Sequence, residues 1–227
     1  MVIKLIKKSN FGLSLKNMSM IKKCLLTSTA LLSMLALLSF VNPSTINNLI
    51  GNFSHQELQL IYDGAKEDPM RILSITNSID SIVLRKKARD ILNTKDTNLN
   101  YLAERLYATV TDSSSMGVGI AAPQVGLLVN LIWVQRFDKE GFPFEAYWNS
   151  KILQQTARKQ DCLEGCLSIP NRSDTTHTRS YAIMIEYLDA QFEKKIELVE
   201  GFTAVIFQHE IDHLNGILYL DHLREEQ

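Results

Sequence analysis

The chain has 227 residues, a formal net charge of -1 and 45% hydrophobic residues. That size fits one globular domain plus an extension. The domain carries no basic excess, so nucleic-acid binding is not expected, and no internal repeat is visible.

The N-terminal stretch holds Lys4, Lys7, Lys8, Lys16, Lys22 and Lys23 and no acid before Cys24. Residues 24–41 are then uncharged and mostly apolar. A basic segment before an apolar run reads as a signal peptide or a single membrane anchor. The run lies near the lower limit for a spanning helix, about 20 residues. No small-residue cleavage triplet follows it, and Met18 or Met20 would make a more ordinary start. Residues 1–53 are accordingly taken as leader and linker, and 54–227 as the catalytic domain. Ser54 and Glu57 have the spacing of a capping box, which predicts a short helix to Ala65. Leu99, Leu102, Leu106 and Val110 predict a helix over Leu99–Thr111. Residues 117–124, from Gly117 to Gln124, are small and end in an amide. Strands are expected over Val129–Val134, Phe144–Trp148, Ala182–Leu188 and Lys195–Val199. A helix is expected from Glu200 to Asn215. Strands in runs, with helices at both ends of the domain, predict an α+β fold with antiparallel sheets wrapped around that last helix.

The last helix carries His209-Glu210-Ile211-Asp212-His213. Residues four apart lie above one another on a helix, so His209 and His213 can face one metal ion. Glu210 sits one step round, within reach of a water beside the ion without being a ligand. A catalytic site of this kind takes three protein ligands. Asp221 and His222 lie downstream, but the third ligand is better sought upstream, in Glu164-Gly165-Cys166-Leu167-Ser168. A cysteine sulfur is a strong, soft ligand for iron or zinc. Cys166 is favoured over Cys162 because Gly165 permits close backbone approach. Gln124 is placed to donate a hydrogen bond to a developing oxyanion.

Taken together, Gly117–Gln124, Glu164–Ser168 and Gln208–Leu214 resemble the three ordered motifs of the peptide deformylases. The resemblance spans roughly Asp68 to Leu223. It implies hydrolytic removal of the formyl group from N-terminal formyl-methionine, releasing formate. It implies one divalent metal per chain, most often Fe(II), with zinc, nickel or cobalt able to occupy the site. Cys166, His209 and His213 would be the ligands. Glu210 would act as general base and then acid. Gln124 and the Leu167 N–H would hold the oxyanion, and Gly119 would hydrogen-bond the substrate backbone. Phe202, Val205 and Ile206, a turn or two before His209, would line the methionine pocket with Val118. The partner would be a formyl-Met peptide or a nascent chain, with the ribosome and, through residues 24–41, a membrane as further contacts.

The chain departs from the family pattern at Asn149-Ser150, where Asn-Pro is common, and after Asp189, where a hairpin glycine is missing. The polar stretch from Asn171 to Thr178 aligns poorly, so Arg172 is given no substrate contact, and Arg179 is expected to pair with Asp212. Three other readings compete. A zinc peptidase of another class leaves the Cys166 and Gln124 segments unexplained. A non-enzymatic metal-binding relative leaves the intact Glu210 unexplained. An exported or membrane-anchored enzyme acting on formyl peptides fits the leader, whereas the family's usual work places the chain in the cytoplasm.

Overall fold

A computed structural model describes residues 51–113 and 117–225. The leader and the apolar run at 24–41 lie outside the described residues. The element order is α1 (His55–Ile61), α2 (Ser78–Leu84), α3 (Asn98–Thr111), β1 (Gly119–Ala121), a 3-10 turn (Ala122–Val125), β2 (Leu131–Gln135), β3 (Phe144–Gln155), β4 (Lys159–Cys166), β5 (Ile169–Ser180), β6 (Ala182–Leu188), β7 (Lys194–Glu200), α4 (Gly201–Leu214) and α5 (Tyr219–Glu225). One sheet has the order β1-β2-β3-β6-β7 and the other is the β4-β5 hairpin; every named pair is antiparallel. Helix α4 touches all seven strands. The α+β arrangement around the His-bearing helix is therefore present.

Two apolar clusters hold the layers together. Leu99, Leu102, Leu106 and Val110 of α3 pack with Ile120, Leu131 and Trp148. Ala204, Phe207, Ile211 and Leu214 of α4 pack with Ile132, Val134, Ile183, Ile185 and Val199. Each fully buried Leu, Ile, Val or Phe among them contributes about 2 kcal/mol. The expected 3.6-residue stripe on α3 is the buried one. Helix α4 is buried over most of its surface, not on one stripe.

Several boundaries differ from expectation. The capping box at Ser54 forms, with Glu57 N–H donating to Ser54 Oγ at 3.3 Å and Ser54 N–H to Glu57 Oε2 at 2.8 Å. Helix α1 nevertheless stops at Ile61 and not Ala65. β3 runs on from Trp148 to Gln155 through two register shifts. The first contains Asn149 at φ 51, whose side chain clasps the backbone of Ile91 through Oδ1 (2.8 Å) and Nδ2 (3.0 Å). Ser150 donates its backbone N–H to Asn130 Oδ1 at 2.8 Å, a bond a proline there could not make. The missing hairpin glycine is replaced by Phe192, held at φ 59 with its ring 5.8 Å from Trp148.

Helix α4 begins where Gly201, at φ 62, turns the chain out of β7. It ends in a Schellman motif: Ile217 N–H donates to Asp212 O (2.9 Å) and Gly216 N–H to His213 O (3.2 Å). Gly216 has φ 73, and a Cβ there would lie 2.4 Å from the carbonyl oxygen of Arg85. Gly141, at φ 76, has open space around it. Gly141→Ala should therefore cost only the left-handed penalty, about 1 kcal/mol. Gly216→Ala should cost clearly more, because backbone must move. Urea unfolding of both variants checks the order; equal losses would mean the Arg85 contact relaxes freely.

Candidate active site and metal centre

The site lies where α4 faces β1 on one side and the β4-β5 hairpin on the other. It opens into a cleft of about 690 Å³. Cys166 ends β4, while His209 and His213 lie one turn apart on α4. Their ligand atoms all fall within 4.8 Å of one another. Cys166 Sγ is 3.2 Å from His213 Nε2. The distance is suited to two ligands of one ion, and no other His, Cys, Asp and Glu group of this kind occurs among the described residues.

His209 is oriented by Glu164, whose Oε2 accepts from His209 Nδ1 at 2.8 Å, which leaves Nε2 for an ion. Glu164 is buried and accepts three further bonds. Arg179 donates from Nε to Oε1 at 2.8 Å and from Nη2 to Oε2 at 2.9 Å, and Thr176 Oγ1 also donates to Oε1. Burial alone would raise the Glu164 pKa. The bonds from His209 and Arg179 outweigh it and hold the carboxyl well below the usual range. Arg179 also reaches Asp212 Oδ2 at 2.6 Å, as the sequence reading expected. Its bidentate partner, however, is Glu164, which that reading quoted only as part of a motif. Glu164 and Cys166 are two apart on a strand and so share a face, which is the signal that could have found it. His222 and Asp221 are not ligands: His222 Nε2 lies 2.8 Å from Asp212 Oδ2, and Asp221 pairs with Arg85.

Glu210 lines the cleft and is buried. Burial pushes its pKa up to about 7. Its Oε2 has no hydrogen-bond partner among the described residues. An unpartnered buried carboxylate oxygen on a residue that lines the cleft leaves an acceptor for a water. Together with two histidines and a cysteine sulfur, it makes a donor set that fits a catalytic divalent ion. Gly119 explains how Glu210 comes so near β1: a Cβ there would meet Glu210 Oε1 at 2.5 Å and Ile206 Cγ2 at 2.8 Å.

Gln124 is held by its own oxygen, which accepts from Ala121 N–H at 2.8 Å. That turns Nε2 toward Cys166 Sγ (3.7 Å) and Ser168 Oγ (3.4 Å). Leu167, on the tight β4-β5 connection, lines the cleft beside it. Val118, Phe202, Val205 and Ile206 line the same cleft, so all four pocket candidates are brought together. Arg172 lies on the rim and pairs with Asp174 at 2.7 Å. Tyr219 of α5 is a residue the sequence reading missed; its ring stacks 6.1 Å from His209.

A family model described as polypeptide deformylase matches residues 69–227. The chain belongs to the peptide deformylase family. It is 39% identical over 155 residues to a peptide deformylase of Caulobacter sp. (strain K31), covering 67% of this chain and 87% of that one. Among solved structures it is similar to the peptide deformylase of Thermotoga maritima, with 34% identity and a TM-score of 0.60 over 68% of this chain and 97% of that one. It is also similar to a class I type b peptide deformylase from Acinetobacter baumannii in a Met-Ala-Ser bound form, with 28% identity, a TM-score of 0.60 and coverage of 69% and 99%. Peptide deformylases are metal-dependent hydrolases that remove the formyl group from N-formylmethionyl peptides, and this chain is an enzyme of that class.

The low pKa of Glu164 has a stability consequence. Its folded value lies below the unfolded one, so its contribution is complete above about pH 4.3 and is lost as pH falls through the folded value. Glu164→Gln should destabilise the protein at pH 7 by about 3 kcal/mol, the scale for breaking a buried ion pair. The gap to the wild type should narrow as pH drops below about 4. Denaturant titrations at several pH values measure it. A gap that stays constant across that range would show that the charge on Glu164 does not matter.

Proposed function

We propose that Cys166 Sγ, His209 Nε2 and His213 hold one divalent metal, and that Glu210 hydrolyses the formyl amide beside it. The observation that carries this reading is the unpartnered Oε2 of Glu210, buried in the cleft next to the three converging ligand atoms. Fe(II) is the metal proposed, with zinc, nickel or cobalt able to replace it, on the softness of the Cys166 sulfur and the chain's family. Such an ion, when bound, supplies a Lewis acid and lowers the pKa of water.

The chain's own groups do the rest. The methionine side chain enters the pocket of Val118, Phe202, Val205 and Ile206, while the backbone of Gly119 aligns the peptide. Glu210 takes a proton from water as the water oxygen bonds to the formyl carbon. Gln124 Nε2–H and the Leu167 N–H donate to the oxyanion that develops. Glu210 then gives its proton to the leaving nitrogen, the C–N bond breaks, and formate and the free amine leave. A carboxyl with a pKa near 7 can do both halves of that transfer, and a cation beside it favours the carboxylate form that starts the cycle. The Met-Ala-Ser bound in the Acinetobacter relative has the form of a deformylated product; formyl-Met-Ala-Ser is therefore the first substrate to try.

Glu210→Ala should retain the metal and lose formate release from formyl-Met-Ala-Ser by at least about a hundredfold. Metal content and formate are measured together on anaerobically purified full-length protein. Equal rates in the two proteins would remove Glu210 from the mechanism.

We further propose that the basic leader and residues 24–41 place the domain at or beyond a membrane, where its substrates are formyl peptides. The basic-then-apolar pattern supports this. Retention in the cytoplasm, with nascent chains at the ribosome as substrates, is the alternative that the family's usual work favours. Among the described residues no helix is long and apolar enough to cross a membrane. Fractionation of cells expressing the chain tagged after Gln227, with the mass of the mature N-terminus, separates the two. Membrane or exported enzyme is expected, and soluble cytoplasmic enzyme with an intact leader would overturn it.

A further inference from the structure

β7 closes the larger sheet on the side away from β1, and among the described residues no strand pairs with its outer edge. Its side chains alternate between two faces. Val199 is buried with the α4 cluster. Glu197 turns the same way, where Arg136 Nη2 donates to it at 2.6 Å and Tyr187 Oη at 2.9 Å. Lys194, Ile196, Leu198 and Glu200 take the other face, and all four are exposed. Ile196 keeps 58% of its surface in solvent and Leu198 59%.

The backbone alternates as well. Gly201 N–H donates to Tyr181 O at 2.8 Å, and Asp189 N–H donates to Glu193 O at 3.0 Å. Between those bonds the β6-β7 register is unbroken, from Ala182 opposite Glu200 to Leu188 opposite Lys194. The odd-numbered residues of β7 therefore bond to β6, and Ile196 and Leu198 turn their N–H and C=O groups to the open edge. An open edge with apolar side chains is a template for another strand.

We propose that this edge pairs, antiparallel, with β7 of a second copy of the chain, about a two-fold axis at Glu197. The strand is complementary to itself. On its exposed face it reads cation, apolar, apolar, anion, so reversal about Glu197 sets Lys194 opposite Glu200 and Ile196 opposite Leu198. A two-fold makes each of these contacts twice. The Ile196–Leu198 pairs are also the ones whose free backbone groups can bond across the edge. Sliding the register by two residues would set Lys194 opposite Leu198, or Ile196 opposite Glu200, and lose the charge match. Lysines on an edge often guard it against pairing, but here the lysine on the exposed face meets a carboxylate. Lys194 is 62% exposed and shares Glu186 with Lys151, so it can take a second anion. The two Glu197 side chains at the axis lie on the inner face, each neutralised by its own Arg136.

A single strand pair is a small interface, so association at about 10 μM is expected. Sedimentation velocity of the full-length protein from about 1 to 200 μM should show monomer passing to dimer. Leu198→Lys, on the exposed face, should keep the circular dichroism of the wild type and weaken association at least about tenfold. The register has its own test. Lys194→Cys and Glu200→Cys proteins, mixed and oxidised, should crosslink to each other, because directly opposed residues lie within disulfide reach. Neither should crosslink to itself above the wild type, since like positions would stand about 20 Å apart. A wild type that stays monomeric overturns the pairing. So does a folded Leu198→Lys that dimerises like the wild type, or self-crosslinking of either cysteine variant equal to that of the mixture.

Discussion

One buried carboxylate joins the parts of this site that the chain keeps far apart in sequence. Glu164 stands on β4, two residues before Cys166, and it accepts bonds from His209 on α4 and from Arg179 and Thr176 on β5. Isolated in the interior, a carboxylate would be costly. Here all its acceptor directions are used, and Arg179 brings a compensating charge that Asp212, on α4, shares. The network therefore ties the hairpin to the helix by charge as well as by packing. Because Glu164 and Cys166 share a strand face, docking the first against His209 sets the position of the second. The geometry of the three ligand atoms follows from a residue that is not one of them.

The opposite wall depends on the absence of side chains. β1 is an edge strand, and Gly119 lets its backbone rest directly on Glu210 and Ile206. Gly117 does the same against Leu167 and Val110. The cleft is thus bounded by bare backbone on one side and by α4 and the hairpin on the others. Val118, Phe202, Val205 and Ile206 line the cleft beside that wall. Gln124 belongs to the same construction. Its oxygen is consumed by Ala121, so only its donor end is left for chemistry.

The legible and illegible parts of the sequence divide along physical lines. The convergence of His209 and His213 was readable because two side chains four apart face the same way on a helix. The core strands β2 and β6 and the edge strand β7 were readable because their apolar residues alternate or run together. The β4-β5 hairpin was not. Residues such as Asn171, Arg172, Ser173 and Asp174 are mostly exposed, so no buried face imposed a pattern on them. Position 149 and position 192 misled for another reason. Asn149 and Phe192 adopt left-handed backbone that a scan for glycine passes over, and what stabilises them is tertiary: the Ile91 backbone for one, Trp148 for the other. Glu164 was quoted without a role because its partners, His209 and Arg179, lie on other elements.

The two histidines of the site are held by different means, and the difference bears on how the site keeps its shape. His209 is fixed by a directional bond from Nδ1 to Glu164 and by the Tyr219 ring. That bond fixes the tautomer and raises the ring's basicity as a ligand. His213 has no hydrogen-bond partner on Nδ1 among the described residues, and it is the more deeply buried. Burial pushes its pKa well below the ordinary histidine value, so it is kept neutral, the form that ligates. Its orientation comes from the Cys166 Sγ contact to Nε2 at 3.2 Å and from packing in the last turn of α4, just before the Schellman motif around Gly216. The close fit of Gly216 against Arg85 lies at that same helix end, three residues beyond His213.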